Sequence, residues 1–92
     1  MIGRFRHKGL RRFYEDDDRK HLPPDMVERI REILSALDAA ESMEGLSRPS
    51  FRLHSLKGRL KGFWAVTVRA NWRIVFRFEN GKALDVDLVD YH

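Results

Sequence analysis

Six side chains of this sequence carry groups that together could cut RNA: His54, Lys57, Arg73, Asp90, Tyr91 and His92. Cleaving a ribose–phosphate link without a metal needs a base to take the proton from the 2′-hydroxyl and an acid to protonate the departing 5′-oxygen. Cations must also stabilise the charge that grows on the phosphorus oxygens. Imidazoles, with an ordinary pKa of about 6.5, exchange protons near neutral pH. Lysine and arginine supply the electrostatics, arginine as a planar fork. Each residue also has a plain structural use. A histidine on a strand is most often a surface residue, and Arg73 and Arg77 could simply pair with Asp87 and Asp85 across strands.

The stretch that must position these groups is Gly62–Phe78, GFWAVTVRANWRIVFRF. Its even positions carry Trp64, Val66, Val68, Trp72, Ile74, Phe76 and Phe78, and its odd positions Thr67, Arg73 and Arg77, with Phe63, Ala65 and Val75 as exceptions. Period-two alternation on β-branched and aromatic residues predicts two strands with one dry face. For the even residues to share that face, Val68 must oppose Trp72, Val66 Ile74 and Trp64 Phe76. That leaves Arg69-Ala70-Asn71 as a three-residue loop with Asn71 left-handed. Arg73 then lies on the other face, beside Thr67.

Around this hairpin the chain reads in order. Ile2–Arg6 suggests a short edge strand, guarded by its basic residues. Leu10, Phe13 and Tyr14 fall at i, i+3, i+4, a short helix starting near His7 and ending at the acidic run Glu15–Asp18, which the macrodipole disfavours at a C-terminus. Pro23-Pro24-Asp25 starts a second helix whose face is traced by Met26, Val27, Ile30, Ile33, Leu34, Leu37 and Ala40 or Glu41. Gly45, Ser47 and Pro49 end it. Phe51–His54 alternates again, and the basic loop Ser55–Gly62 returns the chain into the Phe63 strand. After Phe78, a two-residue Asn80-Gly81 turn would oppose Phe76 with Asp85. A three-residue loop Glu79-Asn80-Gly81 instead pairs Phe76 with Leu84, Ile74 with Val86 and Arg73 with Asp87, so it is the expectation. The fold class is therefore α+β: two N-terminal helices packed on one face of a small, mainly antiparallel sheet, as one domain over residues 1–92.

Composition narrows the partners. Eighteen Lys+Arg against 14 Asp+Glu give a charge of +4 and a pI of about 9.9, which favours an anionic partner, nucleic acid first. The sequence has no cysteine, so thiol catalysis, disulfides and cysteine-based zinc sites are excluded. No apolar run approaches a membrane span and the N-terminus lacks a signal-peptide core, so a cytoplasmic protein with no membrane partner is expected. Asp85-x-Asp87 permits a Mg²⁺-dependent alternative, disfavoured by the neighbouring Arg73 and Arg77. A basic RNA-binding module with Trp64 and Trp72 as stacking platforms is another, disfavoured by the core parity of both tryptophans.

Several segments resemble the HigB branch of the RelE/ParE superfamily of bacterial toxins. They are Ile2…Phe5-Arg6-His7-Lys8-Gly9-Leu10, Leu53-His54-Ser55-Leu56-Lys57-Gly58, Trp64–Ile74 and the closing Asp90-Tyr91-His92. The resemblance implies a RelE-like fold and a type II toxin that cleaves messenger RNA in the ribosomal A site with no metal or cofactor. It implies silencing by a HigA-type helix-turn-helix antitoxin. It assigns His54, Asp90, Tyr91 and His92 to catalysis, with His54 or Asp90 as base and His92 as acid, and Lys57 and Arg73 to the phosphate. By analogy Arg4, Lys8, Arg11, Arg12, Arg69 and Arg77 become RNA or ribosome contacts. ParE-type relatives, which bind DNA gyrase without cutting RNA, are the rival within the superfamily. The chain departs from the family at Arg59-Leu60-Lys61, a basic loop where relatives carry an acidic residue, which leaves that loop's role open.

Overall fold

Alternation from Trp64 onward does make strands. In the computed structural model, which describes residues 1–91, one antiparallel sheet holds β1 (His54–Ser55), β2 (Trp64–Arg69), β3 (Trp72–Glu79) and β4 (Lys82–Asp90), in that spatial order. Trp64 pairs with Phe76 and Val66 with Ile74, as the pattern requires. The turn between β2 and β3 differs from expectation. Ala70, not Asn71, takes the left-handed conformation (φ 49°), and Arg69 rather than Val68 pairs with Trp72. The surplus residue is absorbed as a bulge between Thr67 and Arg69, so Val68 stays buried.

The β3–β4 hairpin corrects a second expectation. Asn80 and Gly81 form the two-residue turn after all, at φ 52° and 76°, with Phe78 opposite Ala83 and Arg77 opposite Leu84. Continued unchanged, that register would bury Asp85 against Phe76. A bulge prevents it: Asp85 adopts φ 54°, and beyond it Val75 faces Asp87, Ile74 faces Leu88 and Arg73 faces Val89. The chain keeps this carboxylate off the dry face with a left-handed aspartate rather than a longer loop. The expected Arg73–Asp87 and Ile74–Val86 pairs are therefore absent.

Phe51–His54 is a shorter strand than its alternation suggests. Pro49 opens a 3-10 turn through Phe51, Arg52 is left-handed (φ 49°), and only His54–Ser55 joins the sheet. At the other edge, Ile2 and Phe5 make isolated parallel bridges to Ala83 and Val86. These contacts straddle the Asp85 bulge, which interrupts the ladder and keeps the N-terminal segment from becoming a full strand.

Helix α1 (Lys8–Asp16) is capped by His7, whose Nδ1 accepts the Leu10 N–H at 3.1 Å, and it ends at the acidic run with Asp17 left-handed. Helix α2 (Val27–Ala39) follows a 3-10 turn at Pro24–Met26. Its Ile30, Ile33 and Leu37 are fully buried in one cluster with Leu10, Phe13, Val66, Ile74, Phe76, Val86 and Leu88. At roughly 1.5–3 kcal/mol for each large side chain buried, this face carries most of the stability. The opposite face is not wholly polar. Leu56, Ala65 and Val75 form a second small cluster with Leu60, Phe63 and Val89 under the 55–63 loop. No helix among the described residues is long and apolar enough to cross a membrane.

Candidate functional site

Strand pairing sets the geometry of the open face. His54 pairs with Ala65, Ala65 with Val75 and Val75 with Asp87, while Thr67, Arg73 and Val89 form the next row of the same parity. From strand spacing, the His54 and Arg73 Cα atoms lie on the order of 12 Å apart, a gap that two long side chains and one phosphate can fill. The Tyr91 N–H donates to the Asn71 carbonyl at 2.8 Å, which holds Tyr91 against the start of β3, near Arg73 in the sequence. Tyr91 follows Val89 in parity and is exposed; Asp90 is paired in register with Trp72, on the alternate parity. His92 lies outside the described residues.

Local contacts prepare two of these groups. His54 is exposed, and its Nδ1 lies 3.0 Å from the Arg52 carbonyl. A carbonyl can only accept, so in the neutral ring Nδ1 carries the proton and Nε2 keeps its lone pair, the tautomer a base requires. Arg73 is half-buried with Nη1 folded back onto the Ala70 and Trp72 carbonyls, at 2.5 and 3.1 Å. Its Nε is buried, and among the described residues no acceptor reaches it. A buried donor left unpaired costs about 1–3 kcal/mol, so an arriving anion that engages this guanidinium removes a penalty as well as adding an attraction. Lys57 is exposed on the loop after β1, just before the 3-10 turn Gly58–Leu60.

The other basic candidates are dispersed. Arg69 turns away from Arg73 and ion-pairs with Asp25 ahead of α2. Arg4 grips Asp85 with Nε and Nη2 at 2.6 and 3.2 Å, and Arg77 reaches the same carboxylate at 3.1 Å and Glu79 at 2.8 Å. Hydrogen bonds from Arg4 first, with the charges of Arg4 and Arg77, hold the Asp85 carboxyl below its ordinary range against the opposing effect of burial. Lys8, Arg11 and Arg12 are exposed along α1; Arg11 lies 4.0 Å from Glu15, and Arg12 contacts His21 at 2.8 Å. Asp85 and Asp87 have different partners: Asp85 is held by Arg4 and Arg77, while Asp87 accepts the Leu88 N–H. Trp64 and Trp72 are half-buried against the main core.

One concavity escapes a reading by motif. It measures about 640 Å³ and is lined by Arg6, Arg59, Lys61, Phe63, Arg77 and Asp85, among others. These come from four separated stretches of sequence, and only the bulge and the 55–63 loop bring them together.

Comparison with known proteins places these features in a family. Residues 3–92 match the model of a RelE-like toxin of the type II toxin–antitoxin system HigB. The chain is 45% identical over 92 residues to "Endoribonuclease HigB" of Proteus vulgaris, covering all of both chains. It is 37% identical over 90 residues to "Toxin HigB-1" of Vibrio cholerae, covering 96% of this chain and 95% of that one. Among solved structures it resembles the YoeB–YefM complex from Staphylococcus aureus (TM-score 0.58, 18% identity, 100% and 98% covered). It also resembles a YoeB/ParE toxin from Agrobacterium tumefaciens (TM-score 0.52, 17% identity, 90% and 85% covered). At such identities the structural likeness speaks for the fold alone.

Proposed function

Because the chain belongs to the RelE-like HigB toxins of type II toxin–antitoxin systems, we propose that it is an endoribonuclease that cuts messenger RNA in the ribosomal A site. The 45% identity to a protein named as an endoribonuclease supports the activity. The carrying observation within the molecule is that pairing sets His54 and Arg73 on one open face, with Tyr91 hydrogen-bonded to Asn71 at the start of β3.

In the reaction, the 2′-oxygen attacks the adjacent phosphorus as its proton passes to a base. The bond to the 5′-oxygen breaks as that oxygen takes a proton from an acid, leaving a 2′,3′-cyclic phosphate and a 5′-hydroxyl. His54 Nε2 suits the base, since the Arg52 carbonyl fixes its tautomer. His92 is the acid in this reading, assisted by Asp90 and Tyr91, which precede it in the sequence. Arg73 releases its turn carbonyls to meet the phosphate, and Lys57 adds a second charge. No step calls for a metal or cofactor. A HigA-type helix-turn-helix antitoxin silences the protein in the cytoplasm; membership of a type II toxin–antitoxin family supports an antitoxin partner.

Primer extension on messenger RNA incubated with purified ribosomes and this protein tests the whole reading. Discrete cuts that need ribosomes, and that vanish in His92→Gln at an unchanged unfolding temperature, are expected. Inhibition of DNA supercoiling with no cuts would replace it with a gyrase-binding role.

A further inference from the structure

The groove at the far end of the open face is the strongest feature that the proposed chemistry leaves unused. Four cations, Arg6, Arg59, Lys61 and Arg77, converge there against a single carboxylate, Asp85. That carboxylate is already held by Arg4 and Arg77. Arg6, Arg59 and Lys61 have no ion pair among the described residues, although each is exposed and free to turn toward an acid. Gathering like charges around one concavity is unfavourable unless an anion visits it.

Position selects the anion. Phe63, half-buried on the groove wall, packs with Leu60, Ala65 and Val75, so the groove opens on the face that carries Arg73. Arg73, Val75 and Arg77 share parity along β3, which puts Arg77 about 14 Å from Arg73, with the His54 row between them. A single strand whose reacting link sits at His54 and Arg73 would lay its following phosphates along this line. We propose that the groove is a second anchor for that RNA strand, in which Arg6, Arg59 and Lys61 hold phosphates flanking the reacting link and Phe63 meets a sugar or base. The inference rests on the reading that the open face takes RNA, and it adds a site that sets binding rather than chemistry.

The test is binding of a fluorescein-labelled single-stranded RNA oligonucleotide to the purified protein, by anisotropy across a salt series. His92→Gln serves as the parent, to prevent cutting. Each phosphate of a single strand that a cation neutralises adds about 0.7 to the slope of log K against log salt, so adding Arg59→Ala and Lys61→Ala should flatten it by roughly 1.4 and weaken binding at low salt. Arg6→Ala alone should flatten it by about 0.7. A slope and affinity equal to the parent's in both variants overturns the proposal, as does a parent with no measurable affinity at low salt. Displacement of the RNA by poly-glutamate as effectively as by unlabelled RNA overturns it in favour of an acidic protein segment. These outcomes are separate from primer extension: ribosome-dependent cuts with an unchanged slope reject the groove and keep the nuclease, and the reverse pair does the opposite.

Discussion

The two faces of the sheet divide the labour of this molecule. The helix-covered face is continuous, fully buried at Ile30, Ile33, Leu37, Ile74 and Phe76, and built from residues tens of positions apart. Among the described residues the open face has a three-residue buried patch, Leu56, Ala65 and Val75, and around it stand His54, Arg73, Arg77 and the basic groove. Stability is concentrated on one side and charge on the other. Substitutions should therefore separate folding from function according to the face they touch. Truncating Phe76 to Ala, at a fully buried site between the helices and the strands, should cost about 3–5 kcal/mol. Against a total of roughly 5–15 kcal/mol for a domain, that approaches global unfolding, and the urea midpoint reads it. A loss under 1 kcal/mol would mean that the core lies elsewhere.

Arg73→Gln tests the other face. Removing one group that stabilises charge in a transition state costs about 10²–10³-fold in rate, so cuts in the primer-extension assay should drop by that factor. The unfolding temperature should change little, because the substitution removes a buried Nε–H that no described residue satisfies together with the Nη1 bonds to the Ala70 and Trp72 carbonyls. A large fall in stability with unchanged cutting would erase the contrast between the faces.

How much of this was legible in the sequence follows from the same contrast. The dry face was readable because burial imposes a period: the α2 stripe and the alternation of β2 and β3 both appear where expected. Register at the hairpin ends was not, because period-two logic assumes unbroken ladders, and two bulges break them. The second puts Asp85 at positive φ and the first leads into a turn with Ala70 at positive φ, local choices that leave no periodic trace. Parity placed Arg73 and His54 on one face, but it could not foresee Arg69 pairing with Asp25, since the bulge beside Arg69 reverses its side. The basic groove was invisible because its residues share no motif and meet only once Asp85 kinks β4.

The minor cluster under the 55–63 loop sharpens the comparison from the middle. Leu56→Ala should cost about 2 kcal/mol, the low end for a buried leucine, since Leu60, Phe63 and Val89 in its cluster are themselves partly exposed. It should also reduce cutting, because Leu56 anchors the loop that carries Lys57. A stability loss equal to that of Phe76→Ala would show the two clusters to be one core. Smaller still is the turn. Gly81→Ala places a side chain at φ 76°, where an L residue is strained by about 1–2 kcal/mol, while the nearest atom to the new Cβ, the Glu41 carbonyl oxygen at 3.7 Å, is in ordinary contact. The cost is thus conformational, and Gly81→Asn should recover much of it.

The smallest effect lies at the seam between the faces, in the Arg4–Asp85–Arg77 cluster. Asp85 has its folded-state carboxyl pKa lowered, chiefly by the Arg4 hydrogen bonds. A lowered folded pKa means that the stabilisation is complete above the unfolded value, about 3.9, and is lost as pH falls through it toward the folded one. Acid denaturation of the wild type alone does not isolate Asp85. Asp85→Asn can, because asparagine tolerates the same left-handed backbone and removes only the charge. The difference in unfolding free energy between wild type and Asp85→Asn should stay constant from neutral pH down to about pH 5 and then shrink below pH 4. A difference that stays flat into strong acid would mean that the aspartate is kept for its backbone conformation, with its two arginines serving another partner.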